Sequence, residues 1–250
     1  MNTSIGPLAG KRILVTRPKE QAVPLISLIQ ECGGLPLSFP IVSIKGVKNE
    51  EAQSLLNDLS SYQWIIFTSK NGVDHFFQLI SDCNLTLGNV KFAAVGEKTA
   101  ESLRKKGITS ILVPDQYHAE SLVKTLKKHV LSHEKILFPK GNLAPSFIKE
   151  ELKETAWVEE LVVYKTESED HLDWSLVHQA DCLFFMSPSA VTFMSRGLQT
   201  EEVYKKPVIC VGPTTKKAAE ECGYHHVLMP KQFTAEDMVN CAISYFQGGS

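Results

Sequence analysis

The six cysteines of this chain (Cys32, Cys83, Cys182, Cys210, Cys222 and Cys241) form no C-x-x-C pair and have no histidine at ligand spacing, which argues against structural zinc and against a disulfide framework. Small buried thiols in a reducing compartment are the expectation that remains. No run approaches the ~20 apolar residues of a membrane span. The opening MNTSIGPLAGKRILVTRP also lacks the basic segment and long apolar core of a secretory signal, so a cytoplasmic location without a membrane partner is expected. An excess of one charge sign is missing too. The formal net charge is -2, with Lys and Arg interspersed among Asp and Glu, which leaves no basic field for a nucleic acid. Any anion has to be held at a local site.

Catalytic signatures are equally scarce. No G-x-G-x-x-G follows a strand, there is no G-x-x-x-x-G-K-[ST] and no G-x-S-x-G elbow, and no apolar run ends in an acidic cluster. These absences exclude dinucleotide, P-loop and hydrolase readings and leave no magnesium site. His225-His226 is adjacent rather than i, i+4 and reads as a loop pair. With neither a metal nor a cofactor indicated, the expected chemistry is one that the substrate performs largely by itself once it is held.

What is present describes a globular protein of 250 residues, 43% hydrophobic and 22% charged, long enough for two small domains. Short apolar runs alternate with helix-like segments: KRILVT (11–16), WIIFTS (64–69), VKFAAVG (90–96), ILVP (111–114), KILFPK (135–140), CLFFMS (182–187), PVICVG (207–212) and VLMP (227–230). That alternation predicts an α/β chain with parallel sheets. Pro18, Pro188 and Pro213 suit first helical turns, and Gly33, Gly107 and Gly223 suit helix ends.

The chain also reads twice. WIIFTSKNGV matches CLFFMSPSAV, FAAVGEKTA matches ICVGPTTKK, and VPDQYHAESL matches MPKQFTAEDM, with offsets of 118 (Ser69 to Ser187), 116 (Gly96 to Gly212) and 116 (Pro114 to Pro230). A weaker echo pairs KRILVTRP with EKILFPKG at an offset of 123 (Ile13 to Ile136). A degenerate duplication follows, each half offering about four strands. In each half one extended segment stands apart, LPLSFPIVSIKG (35–46) and WVEELVVYKTE (157–167). Either these are sheet strands within their halves or they are connectors that carry the chain from one domain to another.

In open parallel sheets, ligands bind beyond the carboxyl ends of strands, where helix N-termini point. Those places hold Arg17 after the first run, Ser69-Lys70-Asn71, Gly96, Lys140-Gly141, Ser187-Pro188-Ser189 and Gly212-Pro213-Thr214-Thr215. Small residues expose backbone N–H groups, hydroxyls add donors, and a few cations add charge, which together suit carboxylate or phosphate groups. The structural alternative is that the Ser and Thr residues cap their own helices.

FTSKNGV with FFMSPSAV, the VGPTT turn, the RP after the first run and VVYKT together resemble the uroporphyrinogen-III synthase family over residues 11–246. The resemblance implies two flavodoxin-like, doubly wound domains: 1–36 with 168–250, and 46–157, joined by connector strands 37–45 and 158–167, with the active site in the cleft between them. It implies a monomer that dehydrates and cyclises hydroxymethylbilane without cofactor; a transient contact with the upstream bilane-forming enzyme is left open as a protein partner. Tyr164, in VVYKT, matches the family's tyrosine and is expected as proton donor to the departing hydroxyl; its structural alternative is aromatic packing on a strand. Lys70 stands where Pro188 does, and Glu97 where Pro213 does, so the second-half turns carry more weight as substrate contacts. The rivals are a two-domain small-anion binding protein without catalysis and a tandem receiver-like protein.

Overall fold

The computed structural model describes residues 6–47, 56, 58–198 and 200–248. The chain opens with β1 (Arg12–Val15), α1 (Lys19–Glu31) and β2 (Leu35–Ser38). It continues through β3 (Val42–Gly46), β4 (Trp64–Phe67), α2 (Lys70–Asp82), β5 (Lys91–Ala94), α3 (Glu97–Arg104), β6 (Ile111–Leu112), α4 (Ala119–Leu126), β7 (Lys135–Gly141), α5 (Phe147–Leu152) and β8 (Trp157–Ser168). It closes with α6 (Ser175–Gln179), β9 (Cys182–Phe185), α7 (Pro188–Gly197), α8 (Glu201–Lys205), β10 (Pro207–Cys210), α9 (Pro213–Glu221), β11 (His226–Leu228) and α10 (Ala235–Phe246). All eight apolar runs lie on strands.

Two compact units result, Met1–Ser43 with Glu167–Ser250, and Ile44–Thr166. The first holds a five-stranded sheet in the order β11-β10-β9-β1-β2, every neighbouring pair parallel. This is a flavodoxin-like 2-1-3-4-5 order, with its switch point between β1 and β9. The second holds six strands in the order β3-β8-β7-β4-β5-β6. Leaving β3 aside, β8-β7-β4-β5-β6 is the same order with the chain entering at its third strand, and the switch point falls between β7 and β4. The segments 37–45 and 158–167 run in sheet strands and also carry the chain across the boundaries between the units, at Ser43/Ile44 and Thr166/Glu167. Residues 37–38 end β2, 42–45 lie in β3, and 158–167 lie in β8, which pairs in parallel with β7 from Trp157 to Tyr164.

Helices cover both faces of each sheet, which is why the strands read as unbroken apolar runs rather than alternating ones. In the second unit Ile65 and Phe67 of β4 pack with Val73, Phe76 and Leu137 on one face. Trp64 and Ile66 pack with Leu122, Ile136 and Phe138 on the other. In the first, Ile13, Val15, Phe184 and Ile209 meet α1 and α10 through Leu25, Ile29, Met238 and Val239. Each fully buried side chain of this size contributes about 1.5–3 kcal/mol. Gly33 and Gly223 close α1 and α9 at φ of 81° and 90°, where a side chain would be strained. All six cysteines are free thiols; Cys182 and Cys210 are buried and the other four half-buried, so two of the six fit the expectation of buried thiols in full. Burial pushes the Cys210 thiol up to about 12, out of reach of thiolate chemistry.

Candidate functional site

In the second unit the carboxyl ends of β4, β7 and β8 converge at the switch point. Ser69 is the N-cap of α2, its Oγ accepting from the Gly72 N–H at 3.0 Å. Gly72 lets the helix start close to β7: a Cβ there would lie 3.2 Å from the Pro139 carbonyl oxygen. Gly141 is tighter still, since a Cβ would fall 2.5 Å from Cζ and 2.8 Å from Oη of Tyr164. The phenol therefore lies on bare backbone, and only glycine permits it.

Tyr164 reaches that position through a β-bulge. Residues pair one to one from Lys135↔Trp157 to Lys140↔Val162, after which Gly141 pairs with Tyr164 and Val163 is left over. Leu161 and Val163 pack into the same core cluster, and strict alternation would turn Tyr164 to the opposite face. The extra residue re-aims it, so the ring stays on the side of α2, stacked on His75 at 5.6 Å between centroids and 26° between planes. Asn142 secures the end of the ladder. Its N–H donates to the Tyr164 carbonyl, and its Oδ1 accepts from the Thr166 N–H at 2.8 Å.

The phenol oxygen is 3.2 Å from Ser69 Oγ. Either hydroxyl can donate to the other; with Ser69, which already accepts from Gly72 N–H, as the donor, the phenolic proton is left for an incoming group. The arrangement can thus donate a proton and take up the developing charge.

Other expected contacts are placed differently. Lys140 is buried, 6% exposed, and pairs with Glu160 at 3.0 Å, with Ser146 beside both; its charge is taken up inside the unit and does not face the phenol. Lys70 is exposed and within 3.8 Å of Asp74, and Asn71 is half-buried in the first turn of α2. Gly96 caps α3 in extended conformation, and the next residue is Glu97, a carboxylate where an anion would have to sit.

In the first unit the carboxyl edge gathers Arg17, Ser187–Ser189 and Gly212–Thr215. The Thr16 hydroxyl donates to the Phe184 carbonyl at 2.7 Å and ties β1 to β9 at the switch point. Arg17 Nε reaches Gln21 at 3.2 Å. Ser187 caps α7 by accepting from Ala190 N–H, and its Oγ lies 3.0 Å from that of Ser189. Pro188 and Pro213 begin their helices. Thr214 is exposed and Thr215 buried. Gly212 is buried, and a Cβ placed there would meet the Phe233 ring at 3.8 Å. Ser69 and Ser187 both cap their helices as the structural alternative has it, and each has a second partner besides, Tyr164 for Ser69 and Ser189 for Ser187. His75, the bulge and the Lys140–Glu160 pair were not anticipated. The one signal for His75 is its place one turn after Gly72 on the flank of an otherwise apolar helix face.

Among the described residues no group of His, Cys, Asp or Glu could hold a metal, and no helix is long and apolar enough to cross a membrane. A family model described as uroporphyrinogen-III synthase HemD matches residues 23–240. The porphyrin biosynthesis protein HemD of Ruminiclostridium josui is 27% identical over 94% of this chain; the match spans 48% of that protein, about half its length. The uroporphyrinogen-III synthase of Chlorobaculum parvum is 28% identical over 89% of this chain and 94% of its own. The uroporphyrinogen III synthase of Thermus thermophilus, as a solved triple mutant, shares the fold with a TM-score of 0.71 at 17% identity, over 96% of this chain and all of the other. With the family model covering most of its length, the chain belongs to the uroporphyrinogen-III synthase family.

Proposed function

We propose that this protein dehydrates and cyclises hydroxymethylbilane to uroporphyrinogen III, acting in the cytoplasm as a monomer with Tyr164 as proton donor. Ionisation begins at the terminal hydroxymethyl group. The pyrrole nitrogen pushes its electron pair toward the carbon, the C–O bond breaks, and the phenolic proton leaves with the hydroxyl as water. The pyrrole N–H proton is lost to give an azafulvene. Ring D then attacks through its substituted carbon and forms a spiro intermediate. Cleavage of the older carbon–carbon bond at the spiro centre and reclosure through the unsubstituted position of ring D invert that ring. The azafulvene nitrogen recovers its proton when ring D attacks, and the residual proton at the reclosed carbon is lost, restoring the pyrrole and, overall, the Tyr164 phenol.

The bilane closes unaided to the uninverted isomer, so the protein's task is orientation more than lowering a high barrier. The observation that carries the assignment of Tyr164 is its half-buried phenol on Gly141 with Ser69 Oγ at its oxygen. Backbone amides and hydroxyls at Ser69–Asn71, Ser187–Ser189 and Gly212–Thr215, with Arg17, are the proposed contacts to substrate carboxylates. The test is to supply freshly generated hydroxymethylbilane, oxidise the product and separate the porphyrin isomers. Isomer III above the spontaneous background supports the reading, whereas isomer I alone at the uncatalysed rate refutes it.

A further inference from the structure

Two of the large apolar side chains that remain exposed are repeat partners. Tyr117 is 64% exposed and Phe233 57%, and they stand 116 residues apart in the matched segments VPDQYHAESL and MPKQFTAEDM. Each lies just beyond the carboxyl end of the last strand of its sheet, β6 or β11. Each rests against a glycine N-cap that is also a repeat pair. A Cβ on Gly96 would come 2.9 Å from Tyr117 Cγ, and one on Gly212 would lie 3.8 Å from Phe233 Cγ. The two halves have diverged at neighbouring turn positions, Lys70 against Pro188 and Glu97 against Pro213, yet both keep glycine with an aromatic over it.

Local structure accounts poorly for this. Tyr117 and Phe233 precede the N-caps His118 and Thr234 of α4 and α10, where an apolar residue can staple onto the fourth helical residue, here Leu122 or Met238. A staple works by burial, and both rings leave more than half their surface in water. Leucine would serve a staple equally well. A flat aromatic face kept exposed at the ligand-binding edge suits a flat, electron-rich partner.

We infer that Tyr117 and Phe233 are binding platforms for pyrrole rings of the substrate, each at the turn edge of its own unit and resting on a buried glycine N-cap. Phe233 stands beside exposed Thr214 and is the stronger of the two; Glu97 opposes an anion next to Tyr117. This rests on the proposed synthase activity. The variants Phe233→Leu and Tyr117→Leu keep an apolar residue before each helix but remove the π face, and Phe233→Trp keeps it. With hydroxymethylbilane, Phe233→Leu is expected to raise KM by about 3–10-fold, the size of one aromatic pair, at unchanged melting temperature. Tyr117→Leu raises it less, and Phe233→Trp leaves it at or below the wild-type value. Wild-type KM in both leucine variants, a loss confined to kcat, or a KM for Phe233→Trp as high as that for Phe233→Leu overturns the inference while isomer III is still made. No isomer III from the wild-type protein would instead overturn the activity on which it rests.

Discussion

Replacing Gly141 by alanine adds one methyl group, and the structure says where it lands. The new Cβ would lie 2.5 Å from Tyr164 Cζ and 2.6 Å from Cε2, whereas ordinary carbon contacts begin near ~3.5 Å, so the ring has to move by about 1 Å. Gly141 is not among the residues with positive φ, so alanine meets no backbone penalty and the displaced ring is the main effect. A shift of that size breaks the 3.2 Å approach of the phenol to Ser69 Oγ and disturbs the stack on His75. Misplacement by about 1 Å costs on the order of 10²-fold, and positioned general acids contribute about 10²–10⁴-fold. Because the electron-rich pyrrole itself helps expel the hydroxyl, the expected loss is near 10²-fold, matching Tyr164→Phe. The double variant discriminates. If glycine acts only through the phenol, Gly141→Ala with Tyr164→Phe is no slower than either alone, a coupling of about 2.7 kcal/mol; independent roles would multiply to roughly 10⁴-fold. The assay is the initial rate of isomer III formation with spontaneous closure subtracted, alongside urea unfolding to register the ~1–3 kcal/mol cost of overpacking. A folded Gly141→Ala enzyme at the wild-type rate, or multiplicative losses in the double variant, refutes the reasoning.

Ser69→Ala removes both a helix cap and the phenol's partner, so it should cost about 1 kcal/mol of stability together with a rate loss smaller than that of Tyr164→Phe. Ser69→Thr should recover both, and a full rate in the alanine variant would leave Ser69 as a cap only. Glu160→Ala strands the buried Lys140 ammonium and is expected to lower stability by about 3 kcal/mol in chemical unfolding, far more than any exposed ion pair such as Lys70–Asp74. Burial raises the pKa of Glu134, but hydrogen bonds from the Leu131 N–H, Trp64 Nε1 and Lys91 outweigh it and hold the carboxyl below its ordinary value. Its contribution is therefore complete above its unfolded pKa of ~4.3 and lost as pH falls through the lower folded value; Glu134→Gln should flatten the acid limb of the stability profile below that point, and an unchanged limb would contradict the assignment.

The strands were legible because helices cover both faces of each sheet, which makes every buried strand a short apolar run whatever its neighbours. The turns were legible for a related reason, since a parallel sheet sends each of them to one edge. The order of strands in the second unit was not, because the weak match of KRILVTRP to EKILFPKG reveals a duplication without saying which copy pairs with which strand. The bulge at Val163 was hidden as well. VVYKT contains one more residue than the register needs, and a one-residue surplus leaves no mark in a run of β-branched side chains. Lys140 looked like an anion ligand because its partner, Glu160, lies twenty residues on and is brought alongside only by the pairing of β7 with β8.

The duplication also explains why the proposed chemistry is lopsided. Ser69 and Ser187 both cap their helices by accepting from the third residue on, and Gly96 and Gly212 are both extended N-caps, so the capped turns are common property of the two halves. The strands that follow α1 and α5 are not alike. Arg12 pairs with Leu35 as Lys135 pairs with Trp157, which makes β2 the counterpart of β8. Yet β2 ends after four residues at Ser38, whereas β8 runs for twelve. Only the longer strand extends far enough past the switch point to carry a bulge, and only with the bulge does a tyrosine turn back over the glycine that ends its neighbour. The capped turns need nothing beyond backbone amides and hydroxyls and survive in both copies. The proposed proton donor is one phenol at one place, and the length of β8 supplies it in a single half.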